Sequence, residues 1–484
     1  MKLKELLRGI SPLELTADPE TEIASVAYDS RKVQKGGLFV AVSGFASDGN
    51  RFIPMAMEKG AAVVVTAKKP AEEIPYVLVE SDRLALAVIG CNFYDRPAES
   101  MKIIGVTGTN GKTSSTLILK HVLEKALGVK VGLIGTMANM VGDEVIPTER
   151  TTPESFELQG LFARMRDSGC KYAVMEVSSH AIALERIGGI RFAAAAFTNL
   201  TEDHLDFHKT MDAYCEAKAE LFRRCDRAVI NADDSYAERF LAAAQCPVLT
   251  TSEQGKGDLQ ARNLDLQAEG IHFTAVCGQE QAEVSLPIPG RFTVYNALTV
   301  LGIARQLGIS LSDCAEALAH VQGVKGRIEV VPTPGKPYSV LIDYAHTPDG
   351  LQNVIRSVKD FCRGRVITVF GCGGDRDPMK RPIMGEIGVK YSDLAIITSD
   401  NPRTEKPEAI IEDILKGVSP DLGACHVICD RRQAIRYAMD IAEKDDIIIL
   451  AGKGHETSQE IQGVKHHLDE REEVAAHLAE TRRS

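Results

Sequence analysis

The feature that most constrains this chain is a glycine-rich loop set between a strand and a helix. MKIIGVTG (residues 101–108) is an apolar run suited to a buried strand, and SSTLILKHVLEKAL (114–127) carries apolar residues at helical spacing. Across their junction runs GVTGTNGKTSS (105–115). Small residues let backbone N–H groups turn toward a phosphate, a Lys reaches the outer phosphates, and a Ser or Thr hydroxyl serves Mg²⁺. Gly108, Gly111, Lys112 and Thr113 supply these parts, with Thr109, Asn110 and Ser114 filling out the loop. The strict G-x-x-x-x-G-K-[ST] spacing is not met, because Val106 stands where its first Gly belongs. The loop specifies ATP or GTP and leaves the reaction open.

The rest of the chain alternates in the same way. AAVVVT (61–66) and YVLVE (76–80) read as short strands before a break at DRPAES (95–100). KYAVMEV (171–177), AAAAFTNL (193–200) and RAVINAD (227–233) continue the central alternation, while residues 259–286 read as appended antiparallel strands. SVLIDY, RVITVFG, DLAIITSD and DIIILAG repeat the pattern after Arg327. The expected fold is α/β in three domains, the number a length of 484 residues suggests. They are a small N-terminal α/β domain (1–98), a central P-loop parallel-sheet domain (99–326) and a C-terminal Rossmann-like domain (327–484).

A formal net charge of -11 argues against a nucleic-acid partner, so anionic substrates must be held by local cations. The 11 Cys form no CxxC pair, which suits a reducing cytoplasm. The first ten residues, MKLKELLRGI, lack the apolar core of a signal peptide, and no run reaches membrane-spanning length. A cytoplasmic protein without membrane insertion is expected.

Phosphoryl transfer needs groups that hold metal ions at the C-terminal edge of the sheet. MEVSSHAI places Glu176 at a strand end, and TNLTEDHLDFH places Asp203, His204, Asp206 and His208 just past the next strand. Taken singly, such a Glu is usually solvated and such a His structural. Two clusters beside a phosphate loop point toward metal binding. On composition alone, Lys218 in EAKAELF is a helix-surface cation.

With these motifs the chain resembles the Mur ligase family, the ATP-dependent amino-acid ligases of cell-wall precursor synthesis. The resemblance runs through DSRKVQKGGLFVAVSG (29–44), GTNGKT, TTPES, EVSSH, NLTEDHLDFH, AYCEAKAELF, YNAL, GRIE, DYAHTPD, GCGGDRDPMKRPIMG, DNPR and GKGHE. It implies that Lys112 holds the outer phosphates of ATP, that Thr113 and Glu176 serve one Mg²⁺, and that His204 serves a second. Asn296, Arg327 and Asp343 would contact ATP. Ser30, Thr151, Thr152, Ser178 and Arg186 would bind UDP-N-acetylmuramoyl-L-alanyl-D-glutamate, although Leu184 stands near a position where such enzymes often carry Gln. Arg376, the run Asp400, Asn401, Pro402 and Arg403, and Gly452 and Glu456 would bind the incoming amino acid, meso-diaminopimelate. The resemblance also implies a CO₂-derived carbamate on Lys218, an oxygen donor where an ammonium would be none. A monomer is expected.

Two other readings compete. A lysine-adding or folyl-polyglutamate-type enzyme belongs to the same superfamily, and the N-terminal DSR segment speaks against the folate type. A P-loop regulatory module without ligase activity would be favoured by loss of Lys112, Glu176, His204 or Lys218, and all four are present.

Overall fold

The apolar runs become the inner strands of three separate sheets in the computed structural model, which describes residues 1–44, 48–148 and 150–481. In the first sheet, Val26–Ala27, Leu38–Val40, Val63–Thr66 and Tyr76–Leu78 run parallel, and Glu14–Leu15 closes one edge antiparallel.

The phosphate-loop strand, Lys102–Thr107, lies inside the second sheet, flanked in parallel by Tyr172–Glu176 and Ala194–Phe197. Val131–Ile134 continues the sheet on one side, and Ala228–Asn231 and Val248–Ser252 continue it on the other. Both faces are covered, which is why these strands are apolar throughout rather than alternating. Ile118, Leu119, Val122 and Leu123 of the helix Lys112–Leu127 pack with Val294, Leu298 and Leu301 of the helix Arg291–Gln306 on one face. Phe162, Phe192, Phe222 and Phe240 fill the other. Leu259–Gln267, Gly270–Cys277 and Glu280–Leu286 form the antiparallel extension that the pattern predicts. The hairpin Asn139–Val141 and Glu144–Ile146 closes the opposite edge. Its strands are too short for a periodic signal.

The third sheet is doubly wound: Ser339–Asp343, Ile447–Ala451, Val366–Phe370, Leu394–Ile397 and Cys425–Val427 run parallel, with Glu329–Val331 antiparallel at one edge. The three sheets give the three α/β domains. Among the described residues, no helix is long and apolar enough to cross a membrane.

The phosphate-loop helix starts two residues before the predicted Ser114, at Lys112. Gly111 makes this possible: its φ of +84° turns the chain straight into the helix, and no side chain caps the first turn. The free N–H groups of that turn therefore face the loop, the arrangement that binds anions.

Candidate functional site

The ends of the central strands open into a cavity of about 610 Å³ shared with the C-terminal domain. It is lined by Thr109–Ser114, Thr151, Glu176, Ser178, His204, Lys218, Asn296, Arg327 and Asp343, so most of the residues implied for ATP, metal and catalysis meet in one place. An added Cβ at Gly111 would sit 2.5 Å from Asn296 Oδ1, so the loop leaves room for no side chain there.

The loop is tied down from three directions. Thr109 N–H donates to Asn199 O at 2.8 Å, and Asn110 N–H donates to Asn199 Oδ1 at 2.9 Å. Asn110 Nδ2 and Thr201 Oγ1 each donate to Asp349 Oδ2 at 3.0 Å, bonds that join the loop to the C-terminal domain. Lys112 Nζ curls back to the carbonyls of Gly108 (2.9 Å) and Thr109 (2.8 Å). Burial lowers the affinity of Lys112 for its proton, and Glu176 and Asp203 oppose that.

Glu176, almost wholly buried, ends its strand with both oxygens engaged. Oε2 accepts from Thr113 Oγ1 at 3.0 Å and Thr136 Oγ1 at 3.1 Å, and Oε1 accepts from Thr136 N–H at 2.8 Å. Among the described residues, no three His, Cys, Asp or Glu side chains gather into a metal cage. A carboxylate beside a hydroxyl next to a phosphate loop still fits Mg²⁺, which keeps several waters and takes one or two carboxylates plus substrate phosphates. His204, held at φ +55°, lies 3.3 Å from Asp203 and edge-on to His180. Burial lowers its pKa, with Asp203 opposing, which favours the neutral imidazole that a metal ligand must be.

Lys218 corrects the expectation from composition. It is 1% exposed, donates to Gly108 O at 2.8 Å and lies over the Tyr214 ring. Burial, then the neighbouring Lys112, pushes its pKa well below the usual lysine value. The helix Met211–Ala219 buries Tyr214, Cys215, Lys218 and Ala219. The four-residue step from Tyr214 to Lys218 was the available signal that this Lys faces inward.

On the C-terminal side, both oxygens of Asp343 accept backbone N–H groups, from Ile328 at 2.8 Å and Ala345 at 2.9 Å. Burial raises its pKa and Arg327 opposes. The Arg327 guanidinium lies 5.0 Å from the centre of the Tyr344 ring.

The residues implied for the UDP substrate are dispersed. Thr151 and Ser178 line the cavity, and Thr151 Oγ1 is 3.0 Å from Thr136 Oγ1. Thr152 and Arg186 lie outside the lining: Thr152 Oγ1 donates to Glu176 O at 2.8 Å, and Arg186 pairs with Glu154 at 2.8 Å. Ser30 is buried against Met55 in the N-terminal domain.

The seven residues implied for the amino acid do not line the cavity either; they cluster in the C-terminal domain. Arg403 Nη1 donates to Gly374 O at 2.6 Å, and its Nε is 3.8 Å from Glu460. A Cβ on Gly373 would lie 2.9 Å from Arg403 Nη1 and 3.9 Å from Arg376 Cγ, so the two Arg side chains converge there. Pro402 precedes Arg403, whose backbone, at φ +51°, bridges to Ile461 in the hairpin formed by Ser458–Ile461 and Val464–His467. Gly452 packs against Asp400, with room for no Cβ (2.5 Å to Oδ2). Asn401 Nδ2 donates to Glu456 Oε2 at 2.8 Å.

Sequence reading missed Thr136, Asn199, Tyr295 and His346, all in the cavity wall, and Asp349, which accepts from Asn110 and Thr201 beside it. Asp349 and His346 stand inside DYAHTPD, a motif already singled out. Thr136 follows a strand whose end the sequence left unmarked.

Known proteins repeat this layout. Residues 22–94 match the "Mur ligase family, catalytic domain", 106–304 the "Mur ligase middle domain" and 326–454 the "Mur ligase, glutamate ligase domain". The chain is 47% identical, over 99% of its length and 100% of the relative's, to UDP-N-acetylmuramoyl-L-alanyl-D-glutamate–2,6-diaminopimelate ligase 1 of Clostridium acetobutylicum. It is 48% identical, with the same coverage, to the ligase of that name from Caldanaerobacter subterraneus subsp. tengcongensis. A solved structure of a ligase of that name covers 100% of both chains at 31% identity, with a TM-score of 0.75. The fold extends to a Mycobacterium tuberculosis folylpolyglutamate synthase, 19% identical over 82% of this chain and 94% of that one, with a TM-score of 0.61. With its phosphate loop, its buried Lys218 and a likeness that spans all three domains, the chain belongs to the Mur ligase family.

Proposed function

We propose that this chain joins an amino group of meso-diaminopimelate to the γ-carboxylate of D-glutamate in UDP-N-acetylmuramoyl-L-alanyl-D-glutamate, with cleavage of ATP to ADP and phosphate, in peptidoglycan precursor synthesis. One observation carries the reading: the phosphate loop, the Thr113–Glu176 pair and the buried Lys218 converge on one cavity. The full-length relatives bearing the diaminopimelate ligase name supply the substrate assignment.

In this reading residues 1–98 carry the UDP substrate, 99–326 bind ATP, and 327–484 bind the amino acid. The nucleotide lies along Gly108–Ser114 with Asn296, Arg327 and Asp343 around its nucleoside end. Ser30, Thr151, Thr152, Ser178 and Arg186 hold the UDP substrate. Thr113 and Glu176 would hold one Mg²⁺ and His204 a second, with a carbamate on Lys218 as a further oxygen donor. When bound, the metal offsets charge on the phosphate oxygens.

The chain's own residues then do three things. The free N–H groups at the start of the phosphate-loop helix and the Lys112 ammonium hold the γ-phosphoryl group in line with the D-glutamate carboxylate. That carboxylate displaces ADP and becomes an acyl phosphate. The amine of the diamino acid attacks the acyl carbon, phosphate departs, and the amide forms with loss of a proton. The Asp349 contacts to Asn110 and Thr201 keep the C-terminal domain over the cavity, excluding water that would hydrolyse the acyl phosphate. Lys218 is suited to carbamylation, since among the described residues its buried amine has no carboxylate at ion-pair distance, and burial and Lys112 favour the neutral amine, which adds CO₂ with release of one proton. The enzyme works as a cytoplasmic monomer.

The test is phosphate release from ATP by purified protein with the UDP-muramoyl dipeptide and a panel of diamino acids. Release that requires both the dipeptide and meso-diaminopimelate supports the reading. Release independent of either one overturns it.

A further inference from the structure

The loop Gly452–Glu456 contains a Lys that no motif reading used. Lys453 is 0% exposed, in a place where an unpaired ammonium would be costly. Its Nζ donates to Glu456 Oε2 at 2.9 Å and to Asn401 Oδ1 at 3.2 Å. Asn401 Oδ1 also accepts from Glu460 N–H at 3.0 Å. With two donors on its oxygen, the Asn401 amide has one orientation, and its Nδ2 is directed to Glu456 Oε2 at 2.8 Å. Both bonds to Glu456 land on Oε2. Among the described residues Oε1 accepts none, and the side chain is 31% exposed.

The same loop reaches the nucleotide cavity. The His455 ring lies 5.2 Å from that of Tyr344, a wall residue of the cavity. Lys453 and Glu456 instead bond to Asn401, which is not part of that wall.

We infer that Lys453 is a positioning residue for the amine donor: its buried ammonium locks the Asn401 amide and the Glu456 carboxylate, so that Glu456 Oε1 is presented as the acceptor for an ammonium group of the incoming diamino acid. The inference rests on the diaminopimelate-ligase reading above. Asn401 and Glu456 touch the substrate, and Lys453 acts through them.

The test compares wild type, Lys453→Met, Glu456→Gln and the double variant by steady-state phosphate release, varying each substrate in turn. Lys453→Met is expected to raise KM for meso-diaminopimelate about tenfold or more, the scale of truncating one partner of a desolvated charge pair. KM for ATP and for the UDP-muramoyl dipeptide should stay at wild-type values. The double variant should be no worse than Glu456→Gln alone, because both changes remove one unit. If Lys453→Met does not fold, Lys453→Gln, which keeps one donor without the charge, is read the same way. An unchanged KM for diaminopimelate in a variant that binds ATP, or equal losses for all three substrates, overturns the inference. If Glu456→Gln is impaired and Lys453→Met is not, the inference alone falls. A wild type that does not use diaminopimelate removes the functional reading and the inference together.

Discussion

Lys218 Nζ and Lys112 Nζ donate to the same acceptor, the carbonyl oxygen of Gly108, at 2.8 and 2.9 Å. Two ammonium groups sharing one carbonyl make a place that favours an anion or a neutral amine. Either a phosphate beside Lys112 or a carbamate on Lys218 relieves the repulsion.

Lys218→Ala should therefore leave a folded enzyme with its rate lowered about 10²-fold or more, the scale of losing one preorganised electrostatic group. Added acetate, which places a carboxylate in the vacated space, should restore part of that rate. A ¹³C carbamate signal from wild type under ¹³CO₂ should vanish in the variant. No such signal from wild type, together with no acetate effect, would count against the modification.

Lys112→Ala removes the loop ammonium, now bonded to the carbonyls of Gly108 and Thr109, that the proposed function sets against the outer phosphates. Ligation should fall by about 10²–10³-fold or more while the fold survives. Phosphate release at the wild-type rate from a well-folded variant would refute the ATP-site assignment.

Gly111→Ala meets two obstacles, a φ of +84° and a Cβ only 2.5 Å from Asn296 Oδ1. The left-handed backbone alone costs about 1–2 kcal/mol for an Ala, and the close contact adds to it. Nucleotide affinity measured by calorimetry should drop about tenfold or more. Wild-type affinity would mean that the loop rearranges when nucleotide binds.

Arg403 should govern the choice of diaminopimelate over lysine, since the two differ by one carboxylate that a guanidinium grips with two hydrogen bonds. Lysine in that site would leave the guanidinium without its carboxylate partner. The structure moderates this, because Arg403 already donates to Gly374 O and lies 3.8 Å from Glu460. The preference should fall near the lower end of the range for an unpaired partner, about 2 kcal/mol or some thirtyfold. Competition assays on wild type and Arg403→Ala decide it: the variant should lose diaminopimelate use while keeping ATP affinity. Equal use of both amino acids by wild type would show the assignment wrong.

Arg431 and Glu470 form an ion pair, 2.8 Å apart and fully buried. Arg431→Met strands the carboxylate and should destabilise the C-terminal domain by about 3–5 kcal/mol, whereas Arg431→Met/Glu470→Leu should recover most of that. Urea unfolding of the full chain, followed by tryptic susceptibility of the C-terminal domain, measures both. A single variant as stable as wild type would mean that the site admits water.

The fold was largely legible because its inner strands are buried on both faces. MKIIGVTG, KYAVMEV and AAAAFTNL were readable as apolar runs, and all three became neighbouring parallel strands. The edge strands Glu14–Leu15 and Glu144–Ile146 were not, since two or three residues carry no period. Lys218 was misread from composition because charge predicts exposure only on average. Its inward face appears once its helix packs Tyr214 and Cys215 against the core.

By itself, the sequence determined which groups were available: a glycine where the phosphate loop turns directly into its helix, a lysine after it, a carboxylate at a strand end. Those are local matters, set by φ, by spacing and by apolar pattern within about a dozen residues. Only the tertiary structure decided which of them meet. It brought Lys218 to a carbonyl 110 residues away and Asp349 to Asn110 across two domains. It also kept Arg376, Arg403 and Glu456 out of the cavity that Lys218 lines, elsewhere in the C-terminal domain, where the buried Lys453 holds Glu456 and Asn401. Desolvation and long-range hydrogen bonding act between surfaces that exist only once the sheets have formed, and no local pattern records them.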